Sequence, residues 1–284
     1  MQYIITGATG HFGRVAIETL LDRGIPATEI VAIGRSVEKI SDLAGRGVRV
    51  IRADYNDPES LRTAFAGGGR LLLVSASEVG SRLVQHRNII DAALASGVEF
   101  IAYTSLLNAR DGGLKLAEEH IATEDAIAAS GIPAVILRNG WYLENYTGQL
   151  PGYLHSGAVL GSAGEGRLNA ATRSDLAIAA AAVISGEGHE GRIYELGGDE
   201  AFTLGELAAT ITEVTGTEVV YRDLPAAEFE SVLVQAGVPG PFAAILADTD
   251  QGIARGALAT DSTDLHQLLE RDTTSVRSAV EAAL

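Results

Sequence analysis

The residues best equipped for chemistry lie close to residue 1: Gly7-Ala8-Thr9-Gly10-His11-Phe12-Gly13, entered directly from the apolar run Tyr3-Ile4-Ile5-Thr6. A G-x-x-G-x-x-G spacing that follows a strand and opens a helix suits a dinucleotide turn. In such a turn Gly7 permits the tight reversal, Gly10 lets backbone approach a pyrophosphate, and Gly13 lets the helix pack close on the strand. The helix N-terminus adds N–H donors and the positive end of a dipole for the phosphates. Taken alone, the motif also fits a purely structural strand–turn–helix, so the rest of the chain has to decide.

The next informative position follows the second apolar run, Ile30-Val31-Ala32-Ile33, where the chain reads Gly34-Arg35-Ser36. A carboxylate about 20 residues past the glycines would grip the ribose 2′-hydroxyl of NAD. Here the place holds Arg35, a permanently charged fork suited to a 2′-phosphate. NADPH is therefore the expected cofactor; the bland alternative is a solvated loop arginine. Asp54, after the third strand, is placed either to take the adenine amino group or to serve as a turn residue.

Strands four to six end in Ser75-Ala76-Ser77-Glu78, Tyr103-Thr104-Ser105 and Arg138-Asn139-Gly140-Trp141-Tyr142. The carboxyl ends of such strands surround a ligand in an open α/β sheet. Ser75, Ser77, Thr104, Asn139, Gly140, Trp141 and Tyr142 therefore join the cofactor-binding set. Trp141 and Tyr142 either wall a pocket for a flat aromatic substrate or seal an interface between two lobes. His120, on the helix between strands five and six, shares a face with Leu116 and Ile127 and so points inward. It is either structural or a donor to a carbonyl oxygen under reduction. With Asn139 and Tyr142 it makes up the candidate catalytic set. No Tyr-x-x-x-Lys pair is found, and no metal-ligand spacing.

These groups need a frame, and the chain supplies one. Apolar runs at Tyr3–Thr6, Ile30–Ile33, Val48–Ile51, Leu71–Val74, Phe100–Tyr103 and Ala134–Leu137 read as strands buried on both faces. Helical segments lie between them: Arg14–Arg23 closed by Gly24, Pro58–Phe65, Arg82–Ser96 closed by Gly97, and Leu116–Ser130 closed by Gly131. The alternation predicts an α/β fold, a Rossmann-like doubly wound parallel sheet with right-handed crossovers. Residues 1–142 form the predicted NADP-binding domain, to which some later segments return. Residues 143–284 form a smaller mixed α/β lobe over the strand ends. In that lobe Tyr153–Gly166 reads as a glycine-rich loop, Ser174–Ser185 as a buried alanine-rich helix, and Ile193–Leu196 and Glu218–Tyr221 as strands. Thr203 and Glu206 form a capping box that opens the helix Leu207–Val214.

Of the 284 residues 46% are hydrophobic, and the net charge is −16. Such acidity argues against nucleic-acid partners, since nothing here would neutralise phosphates over an extended surface. There are no cysteines, which excludes disulfides and thiolate chemistry. The longest apolar stretch, Leu176–Ile184, is too short for a bilayer of about 30 Å, so no membrane insertion is expected. A cytoplasmic protein is expected, and a homodimer is left open.

Taken together, the motifs resemble a known family. They are Gly7–Gly13, Val31-Ala32-Ile33 with Arg35, Ala53-Asp54-Tyr55, Ser75 with Ser77-Glu78-Val79-Gly80, Gln85-His86-Arg87-Asn88, Phe100–Leu107, and Arg138–Tyr142 with Glu144-Asn145. They resemble the NmrA-like atypical short-chain dehydrogenases/reductases and, within these, the bacterial type-2 NADPH:quinone oxidoreductases. Thr172-Arg173-Ser174-Asp175 and His189-Glu190-Gly191 extend the likeness over nearly the whole chain and bring Arg173 into the cofactor-binding set. The resemblance implies NADPH held by Gly7–Phe12, Arg35 and Asn139–Tyr142, with a quinone or similar flat acceptor stacked on the nicotinamide and no flavin. Related reductases carry a lysine four residues before a glutamate; His120 and Glu124 stand there in this chain. The same resemblance leaves two rivals: a dinucleotide-sensing regulator without turnover, and a triphenylmethane-dye or xenobiotic reductase.

Overall fold

A computed structural model describes all 284 residues. In chain order the elements are β1 (Tyr3–Ile5), α1 (His11–Asp22), β2 (Ile30–Gly34), α2 (Ser41–Gly45), β3 (Arg49–Arg52), α3 (Pro58–Ala64), β4 (Gly69–Leu73), α4 (Arg82–Ala95), β5 (Val98–Leu106), α5 (Ala117–Ser130) and β6 (Ala134–Asn139). There follow α6 (Glu144–Thr147), α7 (Leu150–Ser156), β7 (Ala158–Gly161), α8 (Arg173–Ser185), β8 (Ile193–Leu196), α9 (Leu204–Thr215), β9 (Val220–Asp223), α10 (Ala226–Gln235), α11 (Gly240–Ala254), α12 (Asp264–Leu269) and α13 (Val276–Glu281). The chain divides into two compact units. The first comprises Met1–Leu106, Glu119–Asn139 and Arg173–Tyr194; the second comprises Leu107–Glu118, Gly140–Thr172 and Glu195–Leu284.

The first unit is built on a seven-stranded sheet ordered β3-β2-β1-β4-β5-β6-β8. Its pairs from β3 to β6 are parallel, so the carboxyl ends of β1, β2, β4, β5 and β6 line one edge. The chain winds outward from β1 in both directions, the doubly wound arrangement expected from the sequence. Ile4, Val31, Leu71, Leu73, Ile101 and Tyr103 are buried in one core cluster with helix residues such as Leu61, Ile89 and Ile127. Each such side chain contributes roughly 1.5–3 kcal/mol by leaving water. The alanine-rich α8 is buried along most of its length and packs on α1, where small residues permit close approach. One expectation fails here: β3 is not buried on both faces. It is the sheet's edge, exposed at Arg49 and Arg52 and half-buried between. Charged ends of this kind blunt an open edge against pairing with other chains.

A buried ion pair locks α5 to the sheet. Arg138 on β6 donates from Nε and Nη2 to the two carboxylate oxygens of Glu124 at 3.0 and 2.9 Å, and Ser105 on β5 adds a bond of 2.6 Å. Bidentate geometry of this type is the arrangement that compensates desolvation.

The second unit carries the two-stranded parallel sheet β7-β9. The predicted loop at Tyr153–Gly166 is corrected: it contains the end of α7 and all of β7. Gly157, at φ 68, ends α7 in the left-handed region, and Ala158–Gly161 then pairs with Val220–Asp223. The pairing partner lies some sixty residues on, beyond the reach of local pattern reading. The Thr203–Glu206 capping box is present as expected, and α9 begins at Leu204.

Beneath β7 the Asp250 carboxylate on α11 accepts the Ser162 N–H at 2.7 Å. Burial raises its pKa from 3.8 to about 6, with the nearby Asp223 adding to the effect. An acid whose folded pKa is raised favours the fold in its protonated form. Its contribution is therefore complete below pH about 3.8 and is lost as pH rises through about 6. The loss is on the order of 3 kcal/mol. Asp250→Asn should accordingly stabilise the protein relative to wild type at pH 7.5 and much less at pH 4.5. Urea unfolding at the two pH values measures this, and an equal effect at both would refute it.

Candidate functional site

The glycine turn sits at the carboxyl end of β1 and its geometry demands glycine. Gly7 adopts φ 61, and a Cβ on Gly13 would lie 2.5 Å from the Gly7 carbonyl oxygen. Helix α1 therefore starts in direct contact with the turn. The turn is closed by the Gly10 N–H on the Gly7 carbonyl at 3.0 Å and tied to β2 by the Ala8 N–H on the Ile33 carbonyl at 2.9 Å. Gly10 is the N-cap of α1; no side chain caps the helix and no acidic residue occupies its first turn. The amino terminus of this twelve-residue helix thus offers its N–H groups and dipole to an anion. Gly10 and His11 are exposed, whereas Phe12 and Gly13 are buried.

Thr9 packs against Gly34, where a Cβ would come within 2.5 Å of its methyl group. This contact sets the end of β2, and hence Arg35, beside the turn. Arg35 is exposed and donates from Nη1 to the Glu78 carboxylate at 2.9 Å. Asp54 takes the turn geometry: its Oδ1 accepts the Asn56 N–H at 2.9 Å, and Asp57, not Asp54, caps α3. Its neighbour Tyr55 reaches back to the turn, donating its hydroxyl to the Val74 carbonyl at 3.2 Å. Burial pushes the Tyr55 pKa up to about 12, so it remains a phenol.

The segment after β4 is held residue by residue. The Val74 N–H donates to Thr6 Oγ1 at 2.9 Å and the Ser75 N–H to Thr104 Oγ1 at 2.9 Å. The Ala76 N–H donates to His86 Nε2 at 2.9 Å, while its carbonyl accepts from Arg82 Nε at 2.7 Å. Glu119 takes the Gly80 N–H at 3.1 Å and pairs with Arg82 at 3.2 Å. Because His86 Nε2 accepts, its proton is on Nδ1, which donates to Thr123 Oγ1 at 3.0 Å. Burial lowers the His86 pKa to about 3, so the ring is neutral. Thr104 thus anchors the segment through its hydroxyl, Ser75 is half-buried, and Ser77 is exposed.

His120 is buried, with Nδ1 2.7 Å from the Tyr103 hydroxyl. Burial holds it well below its ordinary pKa of 6.5, aided by the charge of Arg82. The ring is therefore a neutral imidazole held against a phenol. Asn139, at the end of β6, is the opposite case. It is buried, and both its amide oxygen and nitrogen lack any partner. Orphaned buried amide atoms each cost about 1–3 kcal/mol, so such a group calls for a ligand or water. Arg173 opens α8 and is half-exposed.

In the second unit, Gly140, Trp141 and Tyr142 form a stitched segment. The Gly140 N–H donates to the Leu196 carbonyl at 2.7 Å, and Ala171 exchanges bonds of 3.0 Å with Trp141 and Leu143. Trp141 and Tyr142 are half-buried. The fold also gathers Asp199, His266 and Asp272, which no sequence spacing suggested. Asp272 is 94% exposed, and surface acids cluster readily without an ion.

The family model described as NAD(P)H-binding matches residues 7–187, which span the glycine turn, Arg35, the β4 segment and Arg173. The chain belongs to this NAD(P)H-binding family. It is 49% identical to Quinone oxidoreductase 2 of Escherichia coli K12, over 97% of this chain and 96% of that one. It is 30% identical to an NmrA-like family domain-containing oxidoreductase of Aspergillus flavus, over 100% and 95% of the two chains. The crystal structure of the NADPH-dependent quinone oxidoreductase of Escherichia coli in complex with NADPH superposes with a TM-score of 0.95 at 48% identity, covering 99% of both chains.

The residues that sequence reasoning left out of the site were Thr6, Tyr55, Arg82 and His86. Arg82 and His86 stand four apart on one face of α4, which was legible, but polar residues at helical spacing ordinarily mark a solvated face. Replacing His86 with Leu should leave the Ala76 N–H unpaired. The expected cost is about 1–3 kcal/mol, with backbone amides 75–80 losing hydrogen-exchange protection while β1 keeps its own. Unchanged exchange in that segment would show that His86 does not hold it.

Proposed function

We propose that this protein is an NADPH-dependent reductase of quinones and similar flat conjugated acceptors, working without flavin. What carries the reading is one conjunction: an uncapped helix N-terminus on a glycine turn with Arg35 beside it, in a chain alike over nearly its full length to an NADPH-dependent quinone reductase. When bound, NADPH supplies a hydride; a quinone that accepts it takes a proton from solvent to become the hydroquinone. The protein residues bind and orient. The α1 N-terminus faces the diphosphate, Arg35 takes the 2′-phosphate, and Asn139 offers its amide to the nicotinamide end. Ser75, Ser77 and Thr104 shape the wall beside the ring, Arg173 contributes charge, and Trp141 and Tyr142 supply aromatic surface for a flat acceptor. Orientation and proximity suffice for hydride transfer to an electron-poor ring. A cytoplasmic location and a homodimer belong to the same proposal. The first fits a fold in which no helix is long and apolar enough to cross a membrane; light scattering tests the second.

Purified protein without added flavin should consume NADPH with simple benzoquinones, monitored by loss of reduced-nicotinamide absorbance. Gly10→Val, which places a branched side chain where the diphosphate must approach, should lower NADPH affinity at least tenfold with unchanged circular dichroism. NADPH consumption no greater than that of this variant would overturn the reading and favour a dinucleotide-sensing role.

His120 is assigned a positioning role through Tyr103. His120→Phe should keep kcat within about threefold, because no general-acid contribution of 10²–10⁴ is lost. A drop of a hundredfold in kcat with KM unchanged would make it a catalytic residue after all.

A further inference from the structure

The Arg35–Glu78 pair joins the two flanks of the cofactor turn. Strands β2 and β4 are the hydrogen-bonded neighbours of β1 on its opposite sides. Arg35 directly follows β2, and Glu78 lies five residues beyond the end of β4. Their bond of 2.9 Å therefore spans the carboxyl end of β1 from one side to the other. The two side chains are 63% and 43% exposed, so the bond is solvent-accessible and exchangeable. Glu78 is held a second time: its Oε2 accepts from Gln85 Nε2 at 2.8 Å, and Gln85 is itself buried. The Ser81 N–H on the Glu78 carbonyl at 3.1 Å fixes the local turn.

We infer that Glu78 is a specificity-determining residue that competes with the 2′-phosphate of NADPH for Arg35, and so sets how strongly the protein prefers NADPH to NADH. This rests on the reading of Arg35 as the 2′-phosphate ligand. The chemistry is a choice of anions. In the free protein the guanidinium is neutralised by the Glu78 carboxylate. To meet a phosphate it must break that bond, and an exposed pair of this kind yields readily. Gln85 keeps the carboxylate in place when Arg35 leaves. A fixed negative charge then remains beside the incoming phosphate and opposes it. NADH carries no 2′-phosphate, asks nothing of Arg35, and is indifferent to Glu78. The pair thus lowers NADPH affinity without touching the diphosphate contacts.

Calorimetric titration of wild type, Glu78→Gln, Arg35→Ala and the double variant with NADPH, NADH and adenosine 2′,5′-bisphosphate tests this. Glu78→Gln should bind NADPH and the bisphosphate about three- to fivefold more tightly and NADH within twofold of wild type. The gain should vanish in the Arg35→Ala background. Unchanged NADPH affinity in Glu78→Gln, or equal weakening of NADPH and NADH, would overturn the inference; the second result would mean that the pair clasps bound cofactor instead. Wild-type protein that binds neither dinucleotide would overturn the proposed function itself, and the inference with it.

Discussion

The close approach of Gly13 to the Gly7 carbonyl is the constraint on which the rest of the site depends. With any side chain at residue 13, α1 would have to tilt or slide away from the turn, since a Cβ there would lie 2.5 Å from backbone oxygen. Three consequences follow from that one contact. The helix axis is aimed at the carboxyl end of β1, so its uncapped N–H groups converge there. Ala8 and Thr9 are pressed against β2, which brings Arg35 alongside. Helix α1, so placed, packs on α8, whose small residues accept it. A steric fact about one glycine thus fixes the direction of a dipole, the neighbour of a phosphate and the packing of a helix 160 residues away in sequence.

The opposite wall is rigid for a different reason. The segment after β4 has no regular structure to satisfy its backbone, yet five of its polar groups are met by side chains of Thr6, just past β1, and of β5, α4 and α5. Such a network favours one loop conformation, most strongly at Ala76, where a lost partner would leave a buried group unpaired. The carboxyl ends of β1 and β4 are therefore preorganised by unlike means, one steric and one polar.

Much of this was legible in the sequence, and the limits have physical causes. The strands of the first unit announced themselves because a parallel sheet buried on both faces demands continuous apolar runs. Gly24, Gly97 and Gly131 marked helix ends because only glycine adopts their positive φ cheaply. Strand β3 departs from the expected double burial because an apolar core flanked by arginines does not say whether a neighbour lies on one side or two. Strand β7 is not legible locally because its pairing with β9 is non-local and a glycine-rich context dominates the local pattern. At the site, Arg35 was visible as a residue type at a spacing, whereas its bond to Glu78 depends on two loops meeting across β1. The anchoring role of Thr104 was hidden because a hydroxyl at a strand end looks the same whether it faces a ligand or a neighbouring amide.

The state of the buried polar groups bears on what kind of chemistry this sheet edge supports. His86 is neutral and committed at both nitrogens, and His120 is neutral and bonded to Tyr103. Arg82 is matched by Glu119, and Arg138 by Glu124. Burial keeps the Tyr103 phenol protonated far above neutrality. Burial thus holds both imidazoles neutral and the Tyr103 phenol protonated at pH 7. The Tyr/Lys dyad of ordinary short-chain dehydrogenases exists to protonate an alkoxide, a strongly basic product. An electron-poor conjugated acceptor yields a far weaker base after hydride addition, and solvent can protonate it. The orphaned amide of Asn139, with neutral imidazoles and a protonated phenol beneath it, fits an acceptor of the second kind, which asks only for binding and orientation.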